Sequence, residues 1–384
     1  MSTPVPTAPS PRRRTLGIIG GGQLARMMVL PAKRLGFDVA VLDPTPGAPA
    51  AQLADHHVVG AFDDAEALRR LADRSDVITY DLEHVDTEIL EGLAAAGHRL
   101  RPEPDLLALV QDKGRQRSFF AQRGLPGPRF EVLLDAPTPA QLAAFGGPVM
   151  QKARWGGYDG RGVRRLADAH ATPMPVPSLL EECVPIELEL GVMVARGEDG
   201  AEAVWPPVEM SFDSAHMLDA LVAPARIAPA LRQRAEDLAA EVVDALGGVG
   251  VFGVELFLTP GGELLVNEVA PRPHNSGHYT IEASVTDQFE QHVRAVAGLP
   301  LGSTALLTPA VTVNLVGVGQ GPARVVGLED ALALPGVAVH LYGKDAVRPG
   351  RKMGHLTVVD ADVEAALVRA HAARDALRIE GSQG

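Results

Sequence analysis

Glu255 and Glu268 stand in the run Gly250–Val269, GVFGVELFLTPGGELLVNEV, where two apolar, strand-like segments flank Gly261-Gly262. Such a dipeptide can take the positive φ angles of a two-residue hairpin loop. With those two residues as the loop, Pro260 faces Glu263, Phe257 faces Val266 and Glu255 lies opposite Glu268. Directly opposed residues have Cβ atoms about 4.5–5.5 Å apart. Two carboxylates so placed repel, unless a divalent cation sits between them. Hard cations such as magnesium seek carboxylate oxygens and bring phosphate with them. A one-residue slip of register would instead send one glutamate to the opposite face, toward solvent.

A second chemical signal follows the strand-like Val149–Lys152. After Ala153-Arg154-Trp155 come Gly156, Gly157, Tyr158, Asp159, Gly160, Arg161 and Gly162, then Val163. Backbone N–H groups of so glycine-rich a loop can turn inward around phosphate oxygens, with the Lys152 ammonium beside them. The spacing is not that of a P-loop, since no Lys-Ser or Lys-Thr closes it and no helix follows. A plain flexible hairpin tip would account for the glycines, though not for the Tyr, Asp and Arg among them. Downstream, Leu179–Val184 reads as a strand able to present backbone groups to an adenine edge, with Glu189 reaching a ribose hydroxyl. Buried strands with glutamates at their ends are common, so that signal is weak by itself.

The elements that must carry these residues can be read from periodicity. Thr15–Gly20, Phe37–Asp43 and Asp76–Glu83 read as strands and Gln23–Leu35 as a helix, an alternation that favours a parallel sheet covered by helices. A helix begins near Lys113 and is ended by Gly124, Pro126 and Pro128. The middle of the chain changes to strands at Val149–Ala153, Ser178–Val184, Leu188–Ala195 and Ala203–Met210. Arg226–Leu246 has the longest helical pattern, and the hairpin follows it. Beyond Gly298 a smaller α+β unit has strands near Val311–Val316, Val337–Tyr342 and Gly354–Val359 and a helix over Val363–Ala376. The fold class is α/β and α+β multidomain: an N-terminal nucleotide-fold parallel sheet (15–111), a central domain (112–298) and a small C-terminal domain (299–384). Residues 1–14, rich in Pro, Ser, Thr and Arg, read as a disordered tail.

Composition removes several function classes. A formal net charge of -13 argues against a protein that tracks a nucleic-acid backbone, and 4% aromatic residues argue against a base-stacking surface. Any phosphorylated ligand must be met by local cations. No apolar run approaches the roughly 18 residues of a membrane span. Cys183 is the only cysteine, which rules out an intrachain disulfide and suits a reducing cytoplasm. No base that would activate Cys183 is evident, so it reads as a packing residue.

Five runs together resemble the ATP-grasp superfamily and, within it, the carboxyaminoimidazole ribonucleotide synthetase family. They are GGGQLARM (Gly20–Met27), GGYDGRG (Gly156–Gly162), EECVPIELELGV (Glu181–Val192), NEVAPRPHNSGHYT (Asn267–Thr280) and YGKDAVRPGRKMGH (Tyr342–His355). They span all three expected domains. The resemblance implies a central ATP-grasp domain, magnesium as cofactor and a homodimer. It implies that ATP phosphorylates bicarbonate to carboxyphosphate, whose carboxyl group reaches the amine of aminoimidazole ribonucleotide directly or through CO2.

Carried over by position, Lys113 and Lys152 would contact ATP, and Gly157 to Val163 would form the phosphate loop. Glu181, Glu182, Cys183 and Val184 would be the adenine hinge, Glu189 would hold the ribose, and Asn267 would lie beside the triphosphate. Glu255 and Glu268 would ligate magnesium. Arg272, His274 and Asn275 would lie where bicarbonate meets the γ-phosphate, a place for a guanidinium to stabilise transferring charge. Gln23 and Leu24, at a helix N-terminus, would meet the ribonucleotide together with Glu83, Tyr158, Asp159, Arg161 and His274. Asp159 would accept a hydrogen bond from the reacting amine, and Lys344 and Arg351 would grip the 5′-phosphate. Two positions depart from the family pattern. Phe212 stands where a histidine is usual, and Asp81 replaces a more usual glutamate.

Rival readings account for less. Gly20 to Ala25 fits G-x-G-x-x-A after a strand, with Asp43 ending the next strand, which is the fingerprint of a dinucleotide-dependent oxidoreductase. That fingerprint explains neither the glycine loop, the paired glutamates nor the C-terminal basic cluster. An ATP-grasp ligase for formate or an amino acid would not call for the APRPHNSGH and PGRKMGH runs. A catalytically silent ATP-binding regulator would not need every charged position of the site filled.

Overall fold

A computed structural model describes residues 13–156, 162–212 and 218–383. The N-terminal sheet has four parallel strands in the order His56–Val59, Asp38–Asp43, Thr15–Ile19, Val77–Tyr80. Thr15–Ile19 is buried along its whole length, as expected of a central parallel strand covered on both faces. Val77–Tyr80 is shorter than the strand expected over Asp76–Glu83. It stops at Tyr80, so Asp81 and Glu83 lie beyond its carboxyl end, beside the Gly20–Gly22 turn. Open α/β sheets bind their ligands at that edge.

Of the expected tail, residues 1–12 lie outside the described part of the chain. Arg14 is not loose: its guanidinium donates to the Ala297 carbonyl at 2.8 Å and stacks over Phe37.

A four-stranded antiparallel sheet in the order Phe130–Leu133, Ser178–Glu182, Val149–Ala153, Val163–Leu166 forms one wall of the central region. The opposite wall belongs to a much larger sheet. It runs from Leu264–Ala270 through Gly250–Leu258, Leu188–Arg196 and Val208–Phe212 to Leu218–Ala223. There it continues without a break into the C-terminal strands, because Ala220 pairs with Val313 and Asn314 with His355. A hydrogen-bonded sheet therefore crosses the boundary expected near residue 298. The segment expected as one strand over Ala203–Met210 is two, interrupted by Trp205-Pro206-Pro207; the prolines lack the N–H that a ladder needs.

Pro229–Leu246 packs Ala235, Leu238, Val242 and Val243 onto Leu190, Val192, Phe252, Val254 and Val266. Each large side chain so buried contributes roughly 1.5–3 kcal/mol, and this core fixes the strands that carry the paired glutamates. The helix starts at Pro229 rather than Arg226, since proline suits the first helical position. A second core joins Gln23–Arg34 to the helix Gln288–Val296, with Met28, Phe289 and Val293 fully buried. That contact ties the N-terminal sheet to the central region. No described helix is long and apolar enough to cross a membrane.

Candidate active site

The hairpin pairs Glu255 with Glu268 as expected, but it gets there by a different route. Its loop has three residues, Pro260, Gly261 and Gly262, closed by Thr259 N–H donating to the Glu263 carbonyl at 3.0 Å. Only Gly262 takes the left-handed conformation, at φ 78°, which suits a type I turn followed by a left-handed residue. The pairing near the loop is therefore shifted, with Phe257 opposite Leu265 rather than Val266. One extra residue restores it. Leu256 pairs with Val266 and Glu255 with Glu268, leaving Asn267 as a β-bulge.

A bulge re-aims side chains, and here it brings Asn267 and Glu268 into the same polar cluster. Asn267 Nδ2 donates to Glu255 Oε2 at 3.1 Å, while Lys152 Nζ donates to Asn267 Oδ1 at 3.0 Å. Lys113 Nζ lies 2.5 Å from Glu268 Oε2. The two carboxylates are held unequally. Burial, and then the Glu268 charge, push Glu255 well above the usual carboxylate range, whereas the Lys113 ammonium holds Glu268 well below it.

Each lysine is positioned by a buried ion pair. Asp112 caps the helix Lys113–Gln122 by accepting from the N–H groups of Gly114 and Arg115, and it takes two hydrogen bonds from Arg154, at 3.0 and 2.5 Å. Lys113 N–H donates in turn to the Arg154 carbonyl at 2.9 Å. Glu181 is 2% exposed and lies 2.7 Å from both Lys152 Nζ and Arg117 Nε. Burial alone would raise its pKa, but the two cations outweigh it and keep Glu181 ionised. Arg117 also grips the carbonyls of Val266 and Asn267, at 2.5 and 2.6 Å, and so clamps the bulge. The Glu181 side chain is thus a support for Lys152.

The rest of the expected hinge lies alongside. Glu182 accepts from Arg129 N–H at 2.9 Å, Cys183 N–H donates to the Pro148 carbonyl, and Val184 follows the end of the strand. Cys183 is half-buried, and burial raises its thiol pKa, against a nucleophilic role. Glu189 lies on Leu188–Arg196, paired with Phe257 and Met210, and its charge is one of those acting on Glu255. Of the glycine loop, Gly156, Gly162 and Val163 are described. Gly157, Tyr158, Asp159, Gly160 and Arg161 lie outside the described residues.

A cavity of about 510 Å³ brings together Gln23, Leu24, Glu83, Lys113, Glu255, Glu268, Arg272, His274 and Asn275. They come from the start of the first helix, the end of the strand Val77–Tyr80, the start of the helix Lys113–Gln122, the hairpin and the loop after it. Arg272 pairs with Glu83 at 2.7 Å, and its buried Nε has no partner among the described residues. His274 Nε2 lies 3.6 Å from Glu255 Oε1, and its Nδ1 is 2.9 Å from Ser276 Oγ. Asn275 Nδ2 donates to Asn314 Oδ1 at 3.3 Å, a link to the C-terminal strands. Phe212 lines the same cavity, with no polar atom to offer a ligand.

The glycine turn at residues 20–22 has the form of a dinucleotide fingerprint but not its vacancy. Asp43 accepts from Gly21 N–H at 2.9 Å, and Asp81 accepts from Gly22 N–H at 2.7 Å and Ala25 N–H at 3.4 Å. A Cβ on Gly20 would lie 1.6 Å from an Asp81 oxygen. Two of the chain's own carboxylates thus occupy the N–H groups that would cradle a pyrophosphate.

Lys344 and Arg351 are not among the described residues that line this cavity. Lys344 Nζ donates to the Lys352 carbonyl at 2.6 Å and sits over the Tyr342 ring, and Arg351 donates to the Ala346 carbonyl at 2.6 Å. The cation that lines the cavity from this side is Lys352. Lys352 and His278 are cavity residues that the sequence reading passed over, although both stand inside the runs that carry the resemblance. Arg117, which clamps the bulge, has no motif of its own.

Sequence models of three domains match the chain in order. The ribonucleotide synthetase preATP-grasp domain covers residues 13–111, the ATP-grasp domain 118–289 and the phosphoribosylaminoimidazole carboxylase C-terminal domain 310–369. The chain is 44% identical over 352 residues to the N5-carboxyaminoimidazole ribonucleotide synthase of Synechococcus elongatus, covering 89% of each chain. The crystal structure of N5-carboxyaminoimidazole ribonucleotide synthetase from Thermotoga maritima matches with a TM-score of 0.89 at 49% identity, over 96% of this chain and 100% of that one. The Aspergillus clavatus N5-carboxyaminoimidazole synthase, in complex with ADP and 5-aminoimidazole ribonucleotide, matches with a TM-score of 0.86 at 35% identity, over 95% and 98%.

Proposed function

The chain belongs to the N5-carboxyaminoimidazole ribonucleotide synthase family of ATP-grasp ligases, and we propose that its cavity performs that family's reaction. ATP and bicarbonate carboxylate the amine of 5-aminoimidazole ribonucleotide, a step of purine biosynthesis, and ADP and phosphate are released. A bicarbonate oxygen attacks the γ-phosphorus, the bond from that phosphorus to the bridging oxygen breaks, and ADP leaves with the electron pair. The amine nitrogen then bonds to the carboxyl carbon of carboxyphosphate, or of CO2 released from it. The carbon–oxygen bond to phosphate breaks, and one amine proton passes to an acceptor.

The observation that carries this reading is the meeting of two opposed carboxylates, two supported lysines and Arg272 in and beside one cavity. Lys113, which rests on Glu268, and Lys152, backed by the buried Glu181, would neutralise the phosphates. Arg272, braced by Glu83, would stabilise charge on the transferring phosphoryl group and on carboxyphosphate. His274 and Asn275 would orient bicarbonate, and Asp159 would accept from the reacting amine. The hinge at Glu181 to Val184 would meet adenine through its backbone, with Glu189 at the ribose and Asn267 beside the triphosphate. Gln23, Leu24 and Glu83 would face the ribonucleotide, and Lys344 and Arg351 its 5′-phosphate.

Glu255 and Glu268 fit a magnesium ion, because a cation relieves the repulsion that Lys113 and Asn267 offset here. No group of three or more His, Cys, Asp or Glu side chains among the described residues could hold a metal by itself, so triphosphate and water oxygens would complete the shell. The ion would supply charge neutralisation to the phosphates. The single cysteine supports a cytoplasmic location, and the family resemblance supports a homodimer. The deciding experiment is ADP release assayed with bicarbonate and ATP. Release that requires 5-aminoimidazole ribonucleotide supports the assignment; tight NADH binding without ATP binding overturns it.

A further inference from the structure

His278 lies within the run that follows Glu268, yet none of the roles above uses it. It is 1% exposed, and that small opening faces the cavity, beside Lys352. Its ring stacks on His355 at 4.5 Å between centroids, and His355 stacks in turn on His340 at 4.5 Å. His355 comes from the strand Lys352–Val359, so the ring of His278 is seated against the C-terminal region.

The tautomer of His278 follows from a chain of bonds that begins at the backbone. Gln288 Oε1 accepts from His274 N–H at 2.8 Å, and Gln288 Nε2 donates to the His274 carbonyl at 2.8 Å. Backbone groups cannot exchange donor for acceptor, so the Gln288 amide has one orientation. Its Nε2 therefore also donates to His278 Nδ1, at 3.0 Å. Nδ1 is the acceptor, and the proton of the neutral ring sits on Nε2. Close packing holds the amide there: a Cβ on Gly277 would lie 2.5 Å from Gln288 Oε1. No hydrogen bond from another described residue reaches Nε2, on a residue that lines the cavity.

We infer that His278 is a substrate-binding residue whose Nε2–H donates a hydrogen bond to an oxygen of the ribonucleotide's sugar-phosphate portion. Its place on the wall shared with Lys352, with its ring against His355 of the same C-terminal strand, assigns it to that portion rather than to the triphosphate. The groups around it favour a neutral donor. Burial first, then the neighbouring His274, Lys352, His340 and Arg272, hold His278 well below the usual imidazole range. Glu282 Oε1 pairs with His340 at 2.6 Å and Tyr342 OH with His355 Nδ1 at 3.0 Å, and no hydrogen bond joins His278 to an acid among the described residues. A neutral donor keeps its hydrogen bond through the physiological pH range, where a titrating one would not.

The inference rests on the proposed reaction, and the test separates the two. Wild-type ADP release is measured first; if it does not depend on 5-aminoimidazole ribonucleotide, the reaction itself is wrong. If it does, His278→Phe, which keeps a stacking ring without the donor, should raise the KM for that substrate about tenfold, the loss of about one neutral hydrogen bond. The KM for ATP should stay within about twofold. His278→Gln, whose amide N–H reaches a position like that of Nε2, should restore most of the loss. Binding of the riboside lacking phosphate distinguishes the acceptor. A persisting His278→Phe effect marks a sugar hydroxyl, and a vanished one marks the phosphate. An unchanged KM in His278→Phe would overturn the inference, as would equal defects in both variants. So would a wild-type KM that climbs through the histidine range and becomes flat in His278→Gln, since the donor would then be cationic.

Discussion

Glu255 pairs directly with Glu268 across the hairpin, yet the two carboxylates meet different surroundings: the Lys113 ammonium rests on Glu268, while Glu255 is met by the amide of Asn267 and, at 3.6 Å, by the His274 ring. Like charges in directly opposed positions destabilise a sheet. Retaining both at this point is unfavourable for the empty fold and useful for holding a cation with its phosphate.

Glu268→Gln removes one charge of the pair and the partner of Lys113. Turnover should fall about 100-fold or more, the scale of losing one preorganised electrostatic group. The fold should survive, because the Glu268 side chain is 39% exposed. Steady-state ADP release with circular dichroism on the same sample checks both statements, and full activity would remove the metal-ligand role.

Arg117 is a structural prediction separable from ligand binding. It joins Glu181 to the two carbonyls at the bulge while 3% exposed. Arg117→Met should cost about 3–5 kcal/mol, as breaking a buried pair does when one charge stays behind. Arg117→Lys should recover only part, since an ammonium cannot span three acceptors in a planar fork. Urea denaturation of the three proteins measures the difference; a cost under about 1 kcal/mol for Arg117→Met would match an exposed pair rather than a buried one.

For the ribonucleotide's phosphate, sequence and structure point to neighbouring lysines. Lys344 was expected from the motif, whereas Lys352 lines the cavity and offers its carbonyl to Lys344. Lys352→Ala should raise the KM for ribonucleotide by about tenfold or more, as loss of a charge-assisted hydrogen bond does. Lys344→Ala should act in the same direction. The KM for ATP should be unaffected in each. An unchanged ribonucleotide KM in Lys344→Ala would leave the phosphate to Lys352.

Much of this site was legible in the chain because its parts are local. The glutamate pair was found by counting across a hairpin, although two errors cancelled: a loop one residue too short and an unseen bulge at Asn267. Bulges leave little trace in an alternating pattern, and only the spacing of Val266 and Val269, both buried in one core, hints at it. The last helix, expected from about Val363 to Ala376, lies there. Pairings such as Arg117 with Glu181, or Gln288 with His278, depend on which elements meet in space, and periodicity is silent about that. The sheet that runs on from Leu218–Ala223 into Ala310–Val318 was hidden for the same reason.

Asp81 ties the N-terminal turn to pH. Burial pushes its pKa up to about 7, against the opposing pull of Gly22 N–H and Arg272. In the unfolded chain an aspartate titrates near 3.9. Between these two values the folded protein binds a proton that the unfolded chain has lost, so Asp81 makes stability fall as pH rises from about 4 to about 7 and then level off. Asp81→Asn keeps a carbonyl oxygen for Gly22 N–H and cannot ionise. The stability of this variant relative to wild type should therefore improve with pH across that window, by up to about 4 kcal/mol for a shift of roughly three units. Urea midpoints of both proteins at pH 4.5, 6 and 8 measure it. Parallel stability curves would mean that Asp81 stays ionised throughout, and that Arg272 and the turn's N–H groups outweigh its burial.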